Sequence, residues 1–267
     1  MATIGLSTYA FFWQLSDRVA APLSIHRAIE RTAELGVDLF QICDYAPLET
    51  MSDTGLDAIA ATARDAGVEL EIGTKGIRPE QLSRCLHIAR VLGSRLVRTM
   101  FNGTEHRPSI DEAEGLLRAA LADFEQTGVR IALETYEQVA TSDLMRVVDA
   151  IDSPFLGVCS DPANTVAALE NPRQVIERVA PRVINMHVKD FAFTRRDGWV
   201  GFTLAGAPLG TGLLDYDHMV GAIRPHERGI NQIIEHWLPW QGDEATTIRL
   251  EREWTANSID FLRRKQQ

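Results

Sequence analysis

The sequence predicts an α/β protein whose 267 residues form a single (β/α)8 barrel. Three observations predict it. Short β-branched runs alternate with amphipathic helical stretches along the whole chain. Eight such units fit the ~250 residues usual for this architecture. No glycine-rich phosphate turn, of the kind that opens a nucleotide-binding sheet, follows the first strand or occurs elsewhere. Alternation itself demands parallel strands, because a parallel pair needs a crossover between its members.

The strand-like runs are 4–11, 37–43, 68–74, 95–101, 129–135, 155–160, 183–188 and 230–237. The helical stretches are 24–35, 53–66, 79–92, 111–127, 141–151, 172–179, 215–223 and 244–264. In 111–127, Ala113, Leu116, Leu117, Ala120, Leu121 and Phe124 recur with helical period on one face. Gly36, Gly67, Gly93 and Gly128 stand where helices should end and turn into the next strand. Ser24, Asp53 and Asp111 read as helix N-caps, and Pro172 as a first-turn proline. The segment 194–215 breaks the rhythm with Gly198, Gly201, Gly206, Gly210 and Gly212, after Arg195 and Arg196. A long connection on the catalytic face of a barrel reads as a lid or a binding loop.

Composition excludes several classes. The formal charge of −10 argues against nucleic acid, whose phosphates need clustered Lys and Arg. No run of about 18 apolar residues would span a membrane, and the apolar start of the chain lacks a basic leader. Three widely spaced cysteines, Cys43, Cys85 and Cys159, read as reduced core thiols of a cytoplasmic protein. One domain, 1–267, is expected, and its exposed aromatic loops would suit a homodimer or homotetramer.

In a barrel, the chemistry sits at the C-terminal ends of the strands. Four consecutive runs end in polar groups that a core would reject: Glu134, then Asp161, then His187 with Lys189 and Asp190, then Glu235 with His236. Three converging carboxylates would repel and raise one another's pKa values unless a cation lay among them. Glu134, Asp161, His187 and Glu235 therefore read as ligands of one divalent metal ion. Oxygen donors with one imidazole suit Mn²⁺, Mg²⁺ or Co²⁺, with Zn²⁺ also compatible.

These motifs resemble the xylose-isomerase-like TIM barrel superfamily. The resemblance lies in Leu133-Glu134, Ser160-Asp161-Pro162-Ala163-Asn164, His187-Val188-Lys189-Asp190, Ile234-Glu235-His236 and the glycine-rich 206–212 segment. It implies a metal-dependent isomerase or epimerase of a small sugar or keto sugar acid. Glu134 and Glu235 would work as acid and base around an enediolate that the metal stabilises. The alternative is a lyase, a decarboxylase or dehydratase, using the same metal site on a keto sugar acid.

The chain departs from the ketose 3-epimerase pattern at Asn164, Ala140 and Phe193, where that group carries a histidine, an acid and an arginine. In their place Lys75, Arg98 and Lys189 are expected around the mouth, which favours an anionic substrate. Arg98, inside a buried strand, needs a carboxylate partner, with Glu71 and Glu134 as candidates. Lys189 shares a strand face with His187 by period two and is a candidate catalytic cation. Asn164, Lys75, Arg98, Arg195 and Trp13 are the expected substrate contacts, and Asp44 a further hydroxyl acceptor.

Overall fold

The computed structural model describes residues 2–196, 198 and 200–266. Its strands are β1 (Ile4–Ser7), β2 (Leu39–Cys43), β3 (Glu69–Gly73), β4 (Leu96–Thr99), β5 (Arg130–Glu134), β6 (Leu156–Ser160), β7 (Val183–Val188), β8 (Phe191–Arg195), β9 (Phe202–Gly206) and β10 (Gln232–Ile234). Eight of them close a parallel barrel in the order β1-β10-β7-β6-β5-β4-β3-β2, and β8 and β9 form a separate antiparallel hairpin. The expected (β/α)8 barrel is therefore the fold.

Each connecting helix lies in the expected stretch, from Ile25–Glu34 to Glu244–Lys265. Gly67, Gly93 and Gly128 cap their helices in the left-handed region, at φ between 70° and 71°. Two caps differ from expectation. Ser52, not Asp53, accepts from Gly55 N, and Ser109, not Asp111, forms a reciprocal capping box with Glu112. A serine hydroxyl one or two positions upstream reaches the orphan amides, which frees the aspartates to complement the helix dipole.

Strand alternation sorts the side chains into two sets. Outward rows such as Phe40 with Ile42, Ile131 with Leu133 and Met186 with Val188 join the helices in one continuous apolar core. Inward rows run Gln41–Cys43, Leu96–Arg98, Ala132–Glu134, Cys159–Asp161 and Asn185–His187–Lys189. Of these, only Leu96, Ala132 and Cys159 make an apolar cluster of their own.

Three stretches are shorter in strand than expected. The first run stops at Ser7, whose hydroxyl accepts from Tyr9 N and turns the chain into the helical segments Thr8–Phe11 and Phe12–Leu15. Barrel strand β4 stops at Thr99, and β10 covers only Gln232–Ile234, which leaves Glu235 just beyond it. The glycine-rich connection carries the hairpin β8–β9, in which Phe193 pairs with Leu204 and Arg195 with Phe202.

Asp190 fastens that connection to the barrel rim. Its carboxylate accepts from the backbone amides of Phe191, Gly210, Gly212 and Leu214, each at 2.9 Å. A Cβ at Gly212 would overlap this carboxylate, so the loop closes on Asp190 only with glycine there. A Cβ at Gly206 would likewise strike the backbone of Trp237, onto which the hairpin docks through Gly206 N and Trp237 O at 3.0 Å.

Candidate metal and active site

Strands β5, β6, β7 and β10 are neighbours in the barrel, so their ends bring Glu134, Asp161, His187 and Glu235 together. The convergence is tight. Nδ1 of His187 lies 3.5 Å from Glu134 Oε1, 3.5 Å from Asp161 Oδ2 and 3.4 Å from Glu235 Oε2. All four side chains are buried. Nδ1 of His187 is buried without a hydrogen-bond partner, whereas Oε2 of Glu134 and Oδ2 of Asp161 are met by the buried cations Arg98 and Lys189.

A buried polar atom without a partner costs free energy unless something satisfies it. Three carboxylate oxygens around one imidazole lone pair form a donor set that fits a divalent cation. Cys43 also groups with His187 and Glu235. Burial pushes its thiol well above the ordinary range, and its proton goes to Gln41 Oε1 at 2.9 Å. A protonated thiol is no ligand, so the carboxylate set is the better fit.

Lys189 lies within the same cluster. Its Nζ is 2.6 Å from Asp161 Oδ2, 3.2 Å from Glu235 Oε2 and 3.3 Å from Asn164 Oδ1. The face of Trp237 covers it, with the ring centre 4.4 Å away. Burial opposes both charges of the Lys189–Asp161 pair, but their mutual attraction wins. It holds the Asp161 carboxyl below its usual range and the Lys189 ammonium above its own. Burial also opposes the His187 cation, and Cys159, Glu235, Glu134 and Asp161 around it outweigh burial and raise the imidazole's pKa; a cation bound at Nδ1 would displace that proton.

Arg98 finds the partner that its burial requires. Nε lies 2.6 Å from Glu134 Oε2, while Nη1 reaches Asp44 Oδ1 at 3.3 Å and the Thr74 carbonyl at 3.0 Å. Glu71 is not that partner. It sits two residues before Gly73, the β3 residue level with Arg98, and so lies one layer deeper in the barrel. There it accepts from Gln41, Asn185 and Asn231. Asn164 donates Nδ2 to Glu134 Oε1 at 2.7 Å, and Ser7 donates Oγ to Glu235 Oε1 at 3.0 Å. Both glutamates are therefore held from behind while one oxygen each turns to His187.

The remaining expected contacts are more dispersed. Asp44, in the left-handed region at φ 51°, bridges Tyr9 Oη at 2.8 Å, Lys75 Nζ at 3.3 Å and Arg98. A non-glycine residue there is strained, and such strain collects at working sites. Asp44 lines two cavities, one of about 390 Å³ with Lys75, Arg78 and His106, the other of about 190 Å³ with Tyr9 and Cys43. Lys75 thus stands at an entrance, not within the buried cluster. Trp13 packs edge-on against Trp240 at 5.1 Å and donates Nε1 to the Leu238 carbonyl. Arg195 is exposed on the hairpin, its guanidinium 4.6 Å from the centre of the Phe202 ring. His236 faces away from the cluster, against Thr255 and Trp254. Gln41 and Ser7, which touch the ligand residues, carried a readable signal: each is a polar residue on the inward row of an apolar strand.

The comparisons with known proteins agree with this fold. A family model described as xylose isomerase-like TIM barrel matches residues 29–265. The chain is 56% identical over 259 residues, 97% of its length and 94% of the other, to a 3-oxo-isoapionate decarboxylase from Pectobacterium atrosepticum. It superposes with a TM-score of 0.72 at 17% identity on a xylose isomerase-like TIM barrel protein from Mycobacterium smegmatis in complex with magnesium, covering 96% of each chain. A D-psicose 3-epimerase from Clostridium cellulolyticum H10 superposes with a TM-score of 0.70 at 16% identity, covering 98% of each. The chain belongs to the xylose isomerase-like TIM barrel family.

Proposed function

We propose that this protein is a divalent-metal-dependent decarboxylase of a 3-oxo sugar acid. The observation that carries the reading is the Glu134–Asp161–His187–Glu235 cluster with Lys189 inside it, in a chain 56% identical to a 3-oxo-isoapionate decarboxylase. The lyase thus takes precedence over the isomerase or epimerase that the motifs first suggested.

The chemistry asks little of the protein beyond charge and one proton. In a 3-oxo acid the bond from C2 to the carboxylate carbon breaks and CO₂ leaves. The electron pair spreads from C2 onto the 3-oxo oxygen, and C2 then takes up a proton. An isomerase must remove a proton from carbon as well as return one, so it needs two mobile carboxyl groups. Here Glu134 is clamped by Arg98 and Asn164, which suits a fixed ligand. Glu235, steadied by Ser7 and 3.2 Å from Lys189, is the residue we assign to proton return. Lys189 stabilises the negative charge that grows on the oxygen and passes on the proton, which solvent replaces.

A divalent cation on Glu134, Asp161, His187 and Glu235 would act as a Lewis acid toward the 3-oxo oxygen. Mn²⁺, Mg²⁺ and Co²⁺ suit this oxygen-rich set better than softer ions. Substrate enters past Asp44 and Tyr9, and Lys75 draws its carboxylate to the entrance. Asn164, whose NH₂ group is engaged by Glu134, is the candidate acceptor through Oδ1 for a hydroxyl of the bound acid, and Trp13 belongs to an apolar wall with Trp240.

The test is a panel of 3-oxo sugar acids and neutral ketoses, each assayed with Mn²⁺ and with chelator. The expected result is metal-dependent CO₂ release from a 3-oxo acid. A product of unchanged mass carrying solvent deuterium, with no CO₂, would overturn the reading in favour of isomerisation.

A further inference from the structure

We infer that Gln41 is a positioning residue for the cation centre: it sets which nitrogen of His187 faces the carboxylates, and Glu71 sets Gln41. The inference rests on the cation reading of that cluster.

The interior of such a barrel is usually filled by branched apolar side chains. Directly beneath His187 it is instead polar and buried, with Gln41, Glu71 and Asn185 exposed by no more than 5%. Nε2 of His187 lies 2.9 Å from Gln41 Oε1. An amide could offer that imidazole either its oxygen or its NH₂ group, with opposite consequences. With oxygen presented, Nε2 carries the hydrogen and the Nδ1 lone pair points at Glu134, Asp161 and Glu235.

The surroundings decide between the two. The amide nitrogen of Gln41 lies 2.9 Å from Glu71 Oε2 and 3.2 Å from Asn185 Oδ1. Reversing the amide would set its oxygen against a carboxyl and a carbonyl, and would face its NH₂ toward the Cys43 thiol. Glu71 holds this arrangement because it also accepts from Asn185 Nδ2 at 3.0 Å and from Asn231 Nδ2 at 2.8 Å. Three amide donors on one buried carboxyl leave it no role but acceptor.

The network thus runs Asn231–Glu71–Gln41–His187, from the opposite mouth of the barrel to the cluster. A buried polar network of this kind is costly unless every member is satisfied. What it supplies is a ligand already in the tautomer and orientation that a cation requires.

The test is Mn²⁺ titration of metal-stripped protein by calorimetry, on wild type, Gln41→Leu and Glu71→Gln. Circular dichroism and melting of the metal-free forms establish that each variant is folded. Gln41→Leu is expected to raise the Mn²⁺ Kd roughly 10–100-fold, the usual effect of losing a ligand's outer partner, and saturating Mn²⁺ should restore most turnover. Glu71→Gln should weaken binding in the same direction, and it serves alone if Gln41→Leu does not fold. In the Mg²⁺-loaded wild type, ¹⁵N spectra should place the His187 hydrogen on Nε2. A folded variant with wild-type Kd, or that hydrogen on Nδ1, would overturn the inference and leave the cation centre standing. A wild-type chain that takes up no Mn²⁺ would overturn both.

Discussion

Asp190 and the three carboxylates of the neighbouring cluster occupy the same rim of the barrel, yet their surroundings are opposite. Asp190 accepts from four backbone amides, all supplied by its own loop. Glu134, Asp161 and Glu235 instead crowd one imidazole nitrogen, and their partners are buried charged side chains, Arg98 and Lys189, in place of backbone amides. A satisfied carboxylate holds a fold in place. Three carboxylates crowded on one nitrogen repel one another, a conflict that cations relieve. On the proposed function, the difference separates a structural acid from working ones on a single rim.

The largest effect expected is on turnover. Glu235→Gln keeps the side chain's size but removes its proton-carrying ability, and should lower kcat by roughly 10²–10⁴-fold. Steady-state kinetics at saturating metal checks this. Asp190→Ala tests the other side of the contrast. Loss of several charge-assisted bonds should destabilise the fold by about 3–5 kcal/mol, read by denaturant unfolding, with Mn²⁺ affinity unchanged. A change in Mn²⁺ affinity there would erase the distinction.

Lys189→Met sharpens the contrast from within the cluster. Removing the ammonium leaves the carboxylates less neutralised, so the cation should bind more tightly. Turnover should nevertheless fall by roughly 10²-fold, because the charge growing on the substrate loses its partner. Calorimetry and kinetics on the same sample separate the two effects.

A smaller effect concerns pH. Glu251 accepts from Trp13 N, Gln14 N and Gln14 Nε2, and so holds the aromatic turn after β1. Burial pushes its carboxyl up to about 7, against smaller opposing hydrogen bonds. The folded protein therefore binds this proton more tightly than the unfolded chain. Its contribution is fully present below about pH 4.5 and is lost as pH rises through about 7, a decline of at most about 3 kcal/mol. Glu251→Gln should flatten that part of the stability–pH curve.

Much of this was legible in the sequence, for identifiable reasons. Period two and strand alternation place Glu134, Asp161 and His187 on adjacent strand ends, so the candidate ligand set follows from spacing. Arg98 announces a carboxylate partner because a buried guanidinium requires one. The deeper layer was harder. Gln41, Glu71 and Asn185 each read as a single polar residue in a strand, and only three-dimensional register brings them together. The hairpin β8–β9 was read as loop because glycines flank and interrupt its short runs. Strand β1 was read as too long because Thr8 to Phe11 is as aromatic and β-branched as a strand, and the Ser7 hydroxyl bond that ends it leaves no mark in composition.

The central claim is that the crowded carboxylates hold one divalent cation. Elemental analysis of the purified chain, before and after dialysis against chelator, tests it most directly when wild type, Asp161→Asn and Asp190→Asn are compared. The account predicts one divalent ion per wild-type chain, retained in Asp190→Asn and lost in Asp161→Asn. Wild-type protein without a divalent ion after incubation in Mn²⁺, or Asp161→Asn protein that keeps a full equivalent, would contradict it.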